Sequence, residues 1–167
     1  MSVLDRSEPS FVVGERVVFP GHGLGTIVAL VAIEAGEGAP SLVIGMDEGT
    51  RIRVPREHAG TTLRRLPLRD EALRYVERLL EPSAADPRGY HERSQTFLEA
   101  VTRGDLGEQI GLLRAMLARS ELSLGERKQR DTLARNVIAV LAEVLGEDAQ
   151  TLHERVVLAQ RTHTPRP

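Results

Sequence analysis

The period of the apolar pattern changes once along this chain of 167 residues, near Pro67. Before Pro67, apolar and β-branched residues form short runs or alternate with polar residues, as in β-strands. After Pro67, apolar residues recur every three or four positions, as on one face of an α-helix. The change predicts an α+β chain of two domains, a β-domain over residues 11–66 and a helical domain over 67–160. We expect the polar ends, 1–10 and 161–167, to be flexible.

Five short strands are predicted in the first domain, each bounded by glycine, proline or acidic turn residues. The clearest turn is Asp47-Glu48-Gly49, a hairpin in which Gly49 can adopt a positive φ. Five strands within about 55 residues predict a small, strongly bent antiparallel barrel or sheet. The predicted strands are Arg16–Phe19, Thr26–Ile33, Ser41–Met46, Thr50–Val54 and Leu63–Leu66, with a further turn at Ala35–Pro40.

The glycine-rich run Gly21-x-Gly23-x-Gly25 invites comparison with a phosphate-binding loop. Such loops lead into the N-terminus of a helix, whose amides bind the phosphate. Here the run leads into Thr26-Ile27-Val28, which is predicted to be strand. We therefore interpret the run as a tight β-turn.

The second domain is predicted to be a bundle of about five helices. Asp86-Pro87 is a candidate N-cap and first helical residue, Gly104 a helix end, and Asp105 the next N-cap. Ser123 and Glu126 have the spacing of a capping box at the start of a long helix. The predicted core positions are Leu73, Val76, Leu80, Phe97, Val101, Leu106, Ile110, Leu113, Leu117, Leu133, Val137, Val140 or Leu141, and Val144, and the predicted first, second and last helices are Leu68–Leu80, Gly89–Arg103 and Thr151–Gln160.

The composition argues against most classes of chemistry. The chain has no cysteine, which excludes disulfides and thiolate zinc sites, and no two of its five histidines have helical i,i+4 spacing. No nucleophile elbow or catalytic triad is recognisable. We therefore expect no metal, no cofactor and no enzymatic activity. With no apolar run of about 20 residues and no secretory leader, we expect a cytoplasmic monomer that does not bind membranes.

Two groups of basic residues are candidates for binding. Arg51 and Arg53 share one face of a predicted strand, and this face is either solvated or a docking edge for a partner. Arg127, Lys128 and Arg130 lie at the start of the long helix, where positive charge opposes the helix dipole. The net charge of −2 gives no general argument for nucleic-acid binding, so DNA contact would need such a local patch.

Tyr90 lies in a polar segment at the start of a predicted helix. An aromatic residue there either packs onto the core or remains exposed as a stacking group. The spacing favours packing onto the core but leaves both interpretations open.

Two segments resemble the CarD/CdnL family of bacterial RNA polymerase-binding transcription regulators. Residues 14–25, GERVVFPGHGLG, are similar to the family's opening pattern, and residues 52–55, IRVP, are similar to its strand ending in Arg-Val-Pro. The helical half is similar in layout, with Asp86-Pro87 before the aromatic Tyr90. The opening pattern is shared with the polymerase-interacting domain of transcription-repair coupling factors, and the helical half favours CarD. The resemblance covers about residues 11–160.

The resemblance implies a Tudor-like β-domain that docks on the lobe of the RNA polymerase β subunit by extending a sheet across the interface. The helical domain of such proteins faces promoter DNA at the upstream edge of the melted bubble, where a tryptophan wedges into the minor groove and basic residues hold phosphates. The resemblance assigns polymerase binding to Arg51, Arg53, Val54 and Pro55, and DNA binding to Arg88, Tyr90, Arg93, Arg127, Lys128 and Arg130.

The sequence departs from the family where DNA is bound. Tyr90 stands at the position of the tryptophan, and the segment His91–Gln95 contains an acid and fewer positive charges than the family's basic run. The resemblance therefore supports docking on the polymerase more strongly than stabilisation of the melted bubble. In the alternative interpretation, the chain is a polymerase-binding adaptor. Its helical domain then binds another regulatory protein or is structural, and DNA binding is supplied elsewhere in a longer protein.

Overall fold

The computed structural model describes residues 10–32 and 40–163. The chain divides into two compact units, Met1–Arg65 and Leu66–Pro167. The ends that were predicted to be flexible and the predicted turn Ala35–Pro40 fall mostly outside the described residues. Part of the predicted C-terminal end is described, because the last helix continues to His163 rather than ending at Gln160.

The described part of the first unit forms a five-stranded antiparallel sheet in the order β4-β3-β2-β1-β5. Within the described residues β4 and β5 are the two edges and do not pair with each other, so the sheet is open. The α+β class and the antiparallel sheet are confirmed, whereas a closed barrel is not. The strands are β1 (Arg16–Phe19), β2 (Gly23–Val31), β3 (Ser41–Met46), β4 (Arg51–Pro55) and β5 (Arg64–Arg65), with helix α1 (Arg56–Thr62) between β4 and β5.

Two local features of the sheet follow the sequence closely. The hairpin between β3 and β4 turns at Gly49, whose φ of +102° is the positive value that the turn requires. The glycine-rich run is a turn that leads into strand, as predicted, but β2 begins at Gly23 instead of Thr26. The earlier start arises because Gly23 and Gly25 already pair with β1.

Helix α1 was not predicted, because Gly60, Thr61 and Thr62 are poor helix formers. Its stability comes from tertiary burial. Ala59 on the helix and Leu63 just after it are each 2% exposed and pack into the core of the sheet. The other buried members of this core are Val17, Ile27, Leu42, Ile44, Met46 and Val54.

The core leaves no room for a side chain at Gly25. A Cβ atom at Gly25 would lie 2.7 Å from Cγ2 of Ile44 and 2.9 Å from Sδ of Met46, both of which are buried. At Gly45 the nearest atom would be Cγ1 of Val28 at 3.2 Å, on a side chain that is 43% exposed. The exposed Val28 can move aside, whereas the core residues cannot.

We predict that Gly25→Ala destabilises the first unit by about 1–3 kcal/mol through overpacking, and that Gly45→Ala costs clearly less. A urea titration followed by the amide NMR signals of β3 measures the first unit separately from the helices. Equal losses for the two variants would contradict this account of the core.

The second unit contains five helices within the described residues. The core is built around α5, whose buried residues include Leu133, Val137 and Leu141. They pack with Ile110 and Leu113 of α4, and both of these side chains are 0% exposed. The helices are α2 (Arg69–Leu80), α3 (Tyr90–Arg103), α4 (Leu106–Leu117), α5 (Leu124–Leu145) and α6 (Ala149–His163).

Three predicted helix ends are confirmed. Ser123 and Glu126 form a reciprocal capping box at the start of α5. The Asp105 side chain accepts from the N–H of Glu108 at 2.8 Å, and Gly104 ends α3 in the left-handed conformation. These signals are local, so the sequence alone determines them.

Two predictions about the helices are wrong. Asp86-Pro87 does not begin α3, which starts at Tyr90 after Gly89. The Asp86 carboxylate instead accepts hydrogen bonds from the backbone N–H and the guanidinium of Arg88. Arg88 precedes the first residue of α3, so these bonds do not cap the helix. Leu73 is 43% exposed because the buried stripe of α2 runs through Ala72, Val76 and Leu79, which shares only Val76 with the predicted stripe.

None of the helices in the described ranges combines the length and the hydropathy needed to cross a membrane.

Candidate docking strand and candidate DNA-facing surface

β4 is an edge strand whose hydrogen bonds alternate between its two sides. At its start, the N–H of Met46 donates to the carbonyl of Thr50 at 2.8 Å. At its end, the N–H of Arg56 donates to the carbonyl of Pro40, also at 2.8 Å. In an antiparallel pair, positions that bond to the partner strand alternate with positions that do not. The even-numbered positions of β4 therefore bond to β3.

The odd-numbered positions of β4 consequently direct their backbone groups away from β3. Arg51 and Arg53 have N–H and carbonyl groups on the open edge, and Pro55, which has no N–H, ends this row. Such an edge can pair with a strand of another protein.

The side chains of β4 alternate in the same way. Arg51 and Arg53 are exposed, and neither guanidinium has a hydrogen bond or ion pair within the described part of the chain. Ile52 is partly buried, and Val54, at 3% exposure, belongs to the core. Of the residues assigned to polymerase binding, Val54 thus supports the strand from behind, while Arg51, Arg53 and Pro55 are accessible.

A row of four residues crosses the outer face of the sheet from Arg51. Arg51 is paired with Gly45, Gly45 with Thr26, and Thr26 with Arg16. Residues that are directly opposite in neighbouring strands point to the same side. Arg16, on β1, therefore shares its face of the sheet with Arg51, on the docking edge.

Arg16 holds the tip of the β3–β4 hairpin. Its two terminal nitrogens donate to the two carboxylate oxygens of Asp47 at 2.6 and 2.8 Å, and Nη1 also donates to the hydroxyl of Thr26 at 3.1 Å. The Arg16 hydrogen bonds lower the pKa of Asp47 from its usual value. Spacing gave no sign of this pair, because its members are 31 positions apart.

On the second unit, Tyr90 lies in the first turn of α3 and is 52% exposed. A Cβ atom at Gly125 would lie 3.8 Å from the Tyr90 hydroxyl oxygen, which places the ring near the start of α5. Tyr90 does not belong to the hydrophobic core of this unit. Of the two interpretations left open by the sequence, the exposed position is the one observed.

Arg93 is committed to an internal ion pair. Its Nε and Nη2 donate to Oε1 of Glu126 at 2.9 and 2.6 Å, and the two side chains are only 14% and 8% exposed. The pKa of Glu126 is lowered, first by the N–H of Ser123 in the capping box and then by Arg93. This pair joins α3 to α5 and leaves Arg93 little capacity to bind a phosphate.

The remaining candidate DNA-binding residues differ in whether their side chains already bind other groups of the unit. Arg88 is held by Asp86 at 2.7 Å, and Arg130 pairs with Asp131 at 2.9 Å. Nε of Arg127 donates to the carbonyl of Leu122, while Lys128 is exposed and has no partner in the described residues. The structure brings Tyr90 close to the start of α5 but leaves only a weak basic surface there.

A cleft between α3, α4 and α5 was not foreseen from the sequence. Its floor is apolar, and its charged residues are hydrogen-bonded within the unit, such as Arg93 to Glu126 and Arg119 to the carbonyl of Asp86. It therefore suits an apolar group better than a phosphate. The lining residues are Asp86, Arg93, Ser94, Phe97, Leu112, Ala115, Met116, Arg119, Leu122, Glu126 and Gln129.

No cluster of three or more His, Asp or Glu side chains is placed to hold a metal ion in the part of the chain that the structure describes.

Within the described residues, the first unit is an open sheet whose basic edge pairs with no other strand, as in domains that bind proteins by strand addition. Comparison with known families agrees, since residues 11–67 match the model of the CarD-like/TRCF RID domain. The first unit of this chain is therefore similar to this family of RNA polymerase-interacting domains. The helical unit lies outside the matched residues.

We predict that Glu126→Gln lowers the stability of the second unit by about 1–3 kcal/mol at pH 7, because it leaves the Arg93 guanidinium without its buried counter-charge. Glu121→Gln, which removes an exposed acid nearby, is the matched control and should change stability little.

The same substitution has a defined pH dependence. Because folding lowers the pKa of Glu126, its contribution is complete above the ordinary value of 4.5 and is lost as pH falls through the lower folded value. The stability difference between wild type and Glu126→Gln should therefore shrink below about pH 4.5. Urea unfolding at several pH values measures it, and a constant difference down to pH 3 would contradict the assignment.

Proposed function

We propose that this protein is a bacterial transcription regulator that docks on the β-subunit lobe of RNA polymerase through β4. The main support is the edge of β4, where Arg51 and Arg53 carry outward backbone groups and guanidiniums that have no partner among the residues described. A strand of the polymerase would add to this edge, and acidic residues on that strand would pair with the arginines. The family of the first unit supports a polymerase partner.

The protein would act as a cytoplasmic monomer, associated with the nucleoid through the polymerase. It would carry no catalytic residue, metal or cofactor. Binding alone would alter the behaviour of the polymerase at promoters.

We predict that Arg53→Glu weakens binding to bacterial core RNA polymerase at least about tenfold, or 1.4 kcal/mol, because it reverses a charge at the interface. Arg74→Glu, the same change at an exposed position of α2, is the control and should bind as wild type does. Calorimetric titration measures both. Equal affinities for wild type and Arg53→Glu would refute docking through β4.

The subunit can be tested separately. A photo-crosslinking amino acid at position 51 should attach to the β subunit, and mapping of the crosslinked peptide should place it in the lobe. Crosslinks confined to another subunit would leave polymerase binding intact but reject the proposed site.

We further propose that the second unit contacts promoter DNA at the upstream edge of the bubble through Tyr90, with Arg127 and Lys128 near phosphates. The exposure of Tyr90 and its position beside α5 support this role. Tyrosine buries less area than tryptophan, and Arg93 is occupied by Glu126, so the effect on DNA should be modest.

We predict that Tyr90→Ala shortens the lifetime of open complexes about fivefold or more while leaving polymerase affinity unchanged, because it removes a stacking side chain worth about 1 kcal/mol. Tyr90→Phe is the control that retains the ring. Open-complex decay after competitor challenge measures the lifetime. An unchanged lifetime would favour the adaptor alternative.

In the adaptor alternative, the second unit binds a regulatory protein or only supports the fold. The cleft between α3, α4 and α5 favours this alternative specifically, since its floor includes Phe97, Leu112 and Met116 and it offers no free charge to DNA. DNA binding would then reside in another part of a longer protein.

A further inference from the structure

We propose that Arg16 is a positioning residue that holds the Asp47 carboxylate away from Arg51 and Arg53, the two arginines of the docking edge. Arg51 is then available to bind the polymerase. This inference rests on the proposed function of β4. The observation behind it is the bidentate ion pair in which Nη1 and Nη2 of Arg16 donate to the carboxylate oxygens of Asp47 at 2.6 and 2.8 Å. The pair lies on the face of the sheet that also carries Arg51.

Asp47 would otherwise compete for the same charges as the polymerase. It lies at the beginning of the hairpin loop, four positions before Arg51, and its carboxylate is on the outer face because it meets Arg16 and, through it, Thr26. Arg51 extends from the same face on the neighbouring strand. A carboxylate without a partner at this position would pair with Arg51 and oppose an acidic partner strand.

Arg16 is too far from the edge to act by direct contact with an added strand. Arg51 and Arg16 are separated by three strand spacings, or about 14 Å, and an added strand would lie a further spacing away, about 19 Å from β1. An effect of Arg16 on strand pairing would therefore be indirect, and its ion pair with Asp47 is the route that we propose.

The alternative role for Arg16 is mechanical, that of holding the hairpin in place. The hairpin has other restraints, however. The N–H of Asp47 donates to the carbonyl of Leu24 at 3.0 Å, and the N–H of Gly49 donates to the carbonyl of Met46 at 2.9 Å. These backbone bonds remain when either side chain of the ion pair is replaced, so the loop should keep its position.

The two roles predict opposite results for Asp47→Asn. If Arg16 neutralises Asp47, then Arg16→Met weakens polymerase binding about threefold to fivefold, Asp47→Asn does not weaken it, and the double variant returns to within about twofold of wild type. If Arg16 only holds the hairpin, Asp47→Asn weakens binding as much as Arg16→Met does, and the double variant stays weak.

A change of overall charge is controlled by Glu48→Gln, which removes the next acid in the loop. Arg16→Met with Glu48→Gln has the same net charge as Arg16→Met with Asp47→Asn but retains the freed Asp47 carboxylate. We expect this double variant to bind polymerase about threefold to fivefold more weakly than wild type. Recovery in this variant would assign the effect to net charge and overturn the proposal.

The experiment is a calorimetric titration of the full chain into core RNA polymerase, with Arg53→Glu measured in parallel. If Arg53→Glu weakens binding and Arg16→Met does not, the proposal fails while docking through β4 stands. If Arg53→Glu binds as wild type does, the docking strand itself is rejected and this inference with it. Amide NMR spectra of the variants confirm that the sheet is folded.

Discussion

The interaction on which the docking surface depends is the backbone pairing of β4, which within the described residues is made to β3 on one side and to no strand on the other. An edge strand of this kind attracts any extended chain, and natural proteins protect such edges with charges and proline. Arg51 and Arg53, followed by Pro55, provide both forms of protection. The same charges that discourage chance pairing would favour an acidic partner strand in the docking that we propose. Stability and specificity thus place the same demand on this strand.

An edge strand offers a fixed docking surface only if the core behind it holds the strand in place. Val54 anchors β4 from the core side, and α1 covers that core through Ala59 and the adjoining Leu63. Gly25 allows β2 and β3 to approach so closely that Ile44 and Met46 occupy the space of a side chain. Packing of this kind supports β4 from the core side, and the proposed partner would meet a preformed strand with little ordering cost.

The second unit uses its charges differently. Arg93 and Arg88, which the family resemblance would place at phosphates, are held by Glu126 and Asp86. A buried ion pair joins α3 to α5, and its value lies in fixing the start of α3, where Tyr90 is exposed. The unit displays an aromatic residue at the start of α3, while Arg88 and Arg93 beside it are bound to carboxylates of the same unit. For this reason the DNA contact that we propose is a small one that would depend on polymerase for its affinity.

The sequence by itself determined the features that depend on neighbouring residues. These are the change of period at Pro67, the hairpin at Gly49, the capping box of Ser123 and Glu126, and the alternation of Arg51 and Arg53 with core residues, because turn geometry, caps and strand period are local. Tertiary structure decided which strands are edges, the formation of α1 from poor helix formers, and the displaced buried stripe of α2. It also paired Arg16 with Asp47 across 31 positions and Arg93 with Glu126 across 33. Such contacts depend on how distant segments pack, and no spacing rule within one segment contains that information.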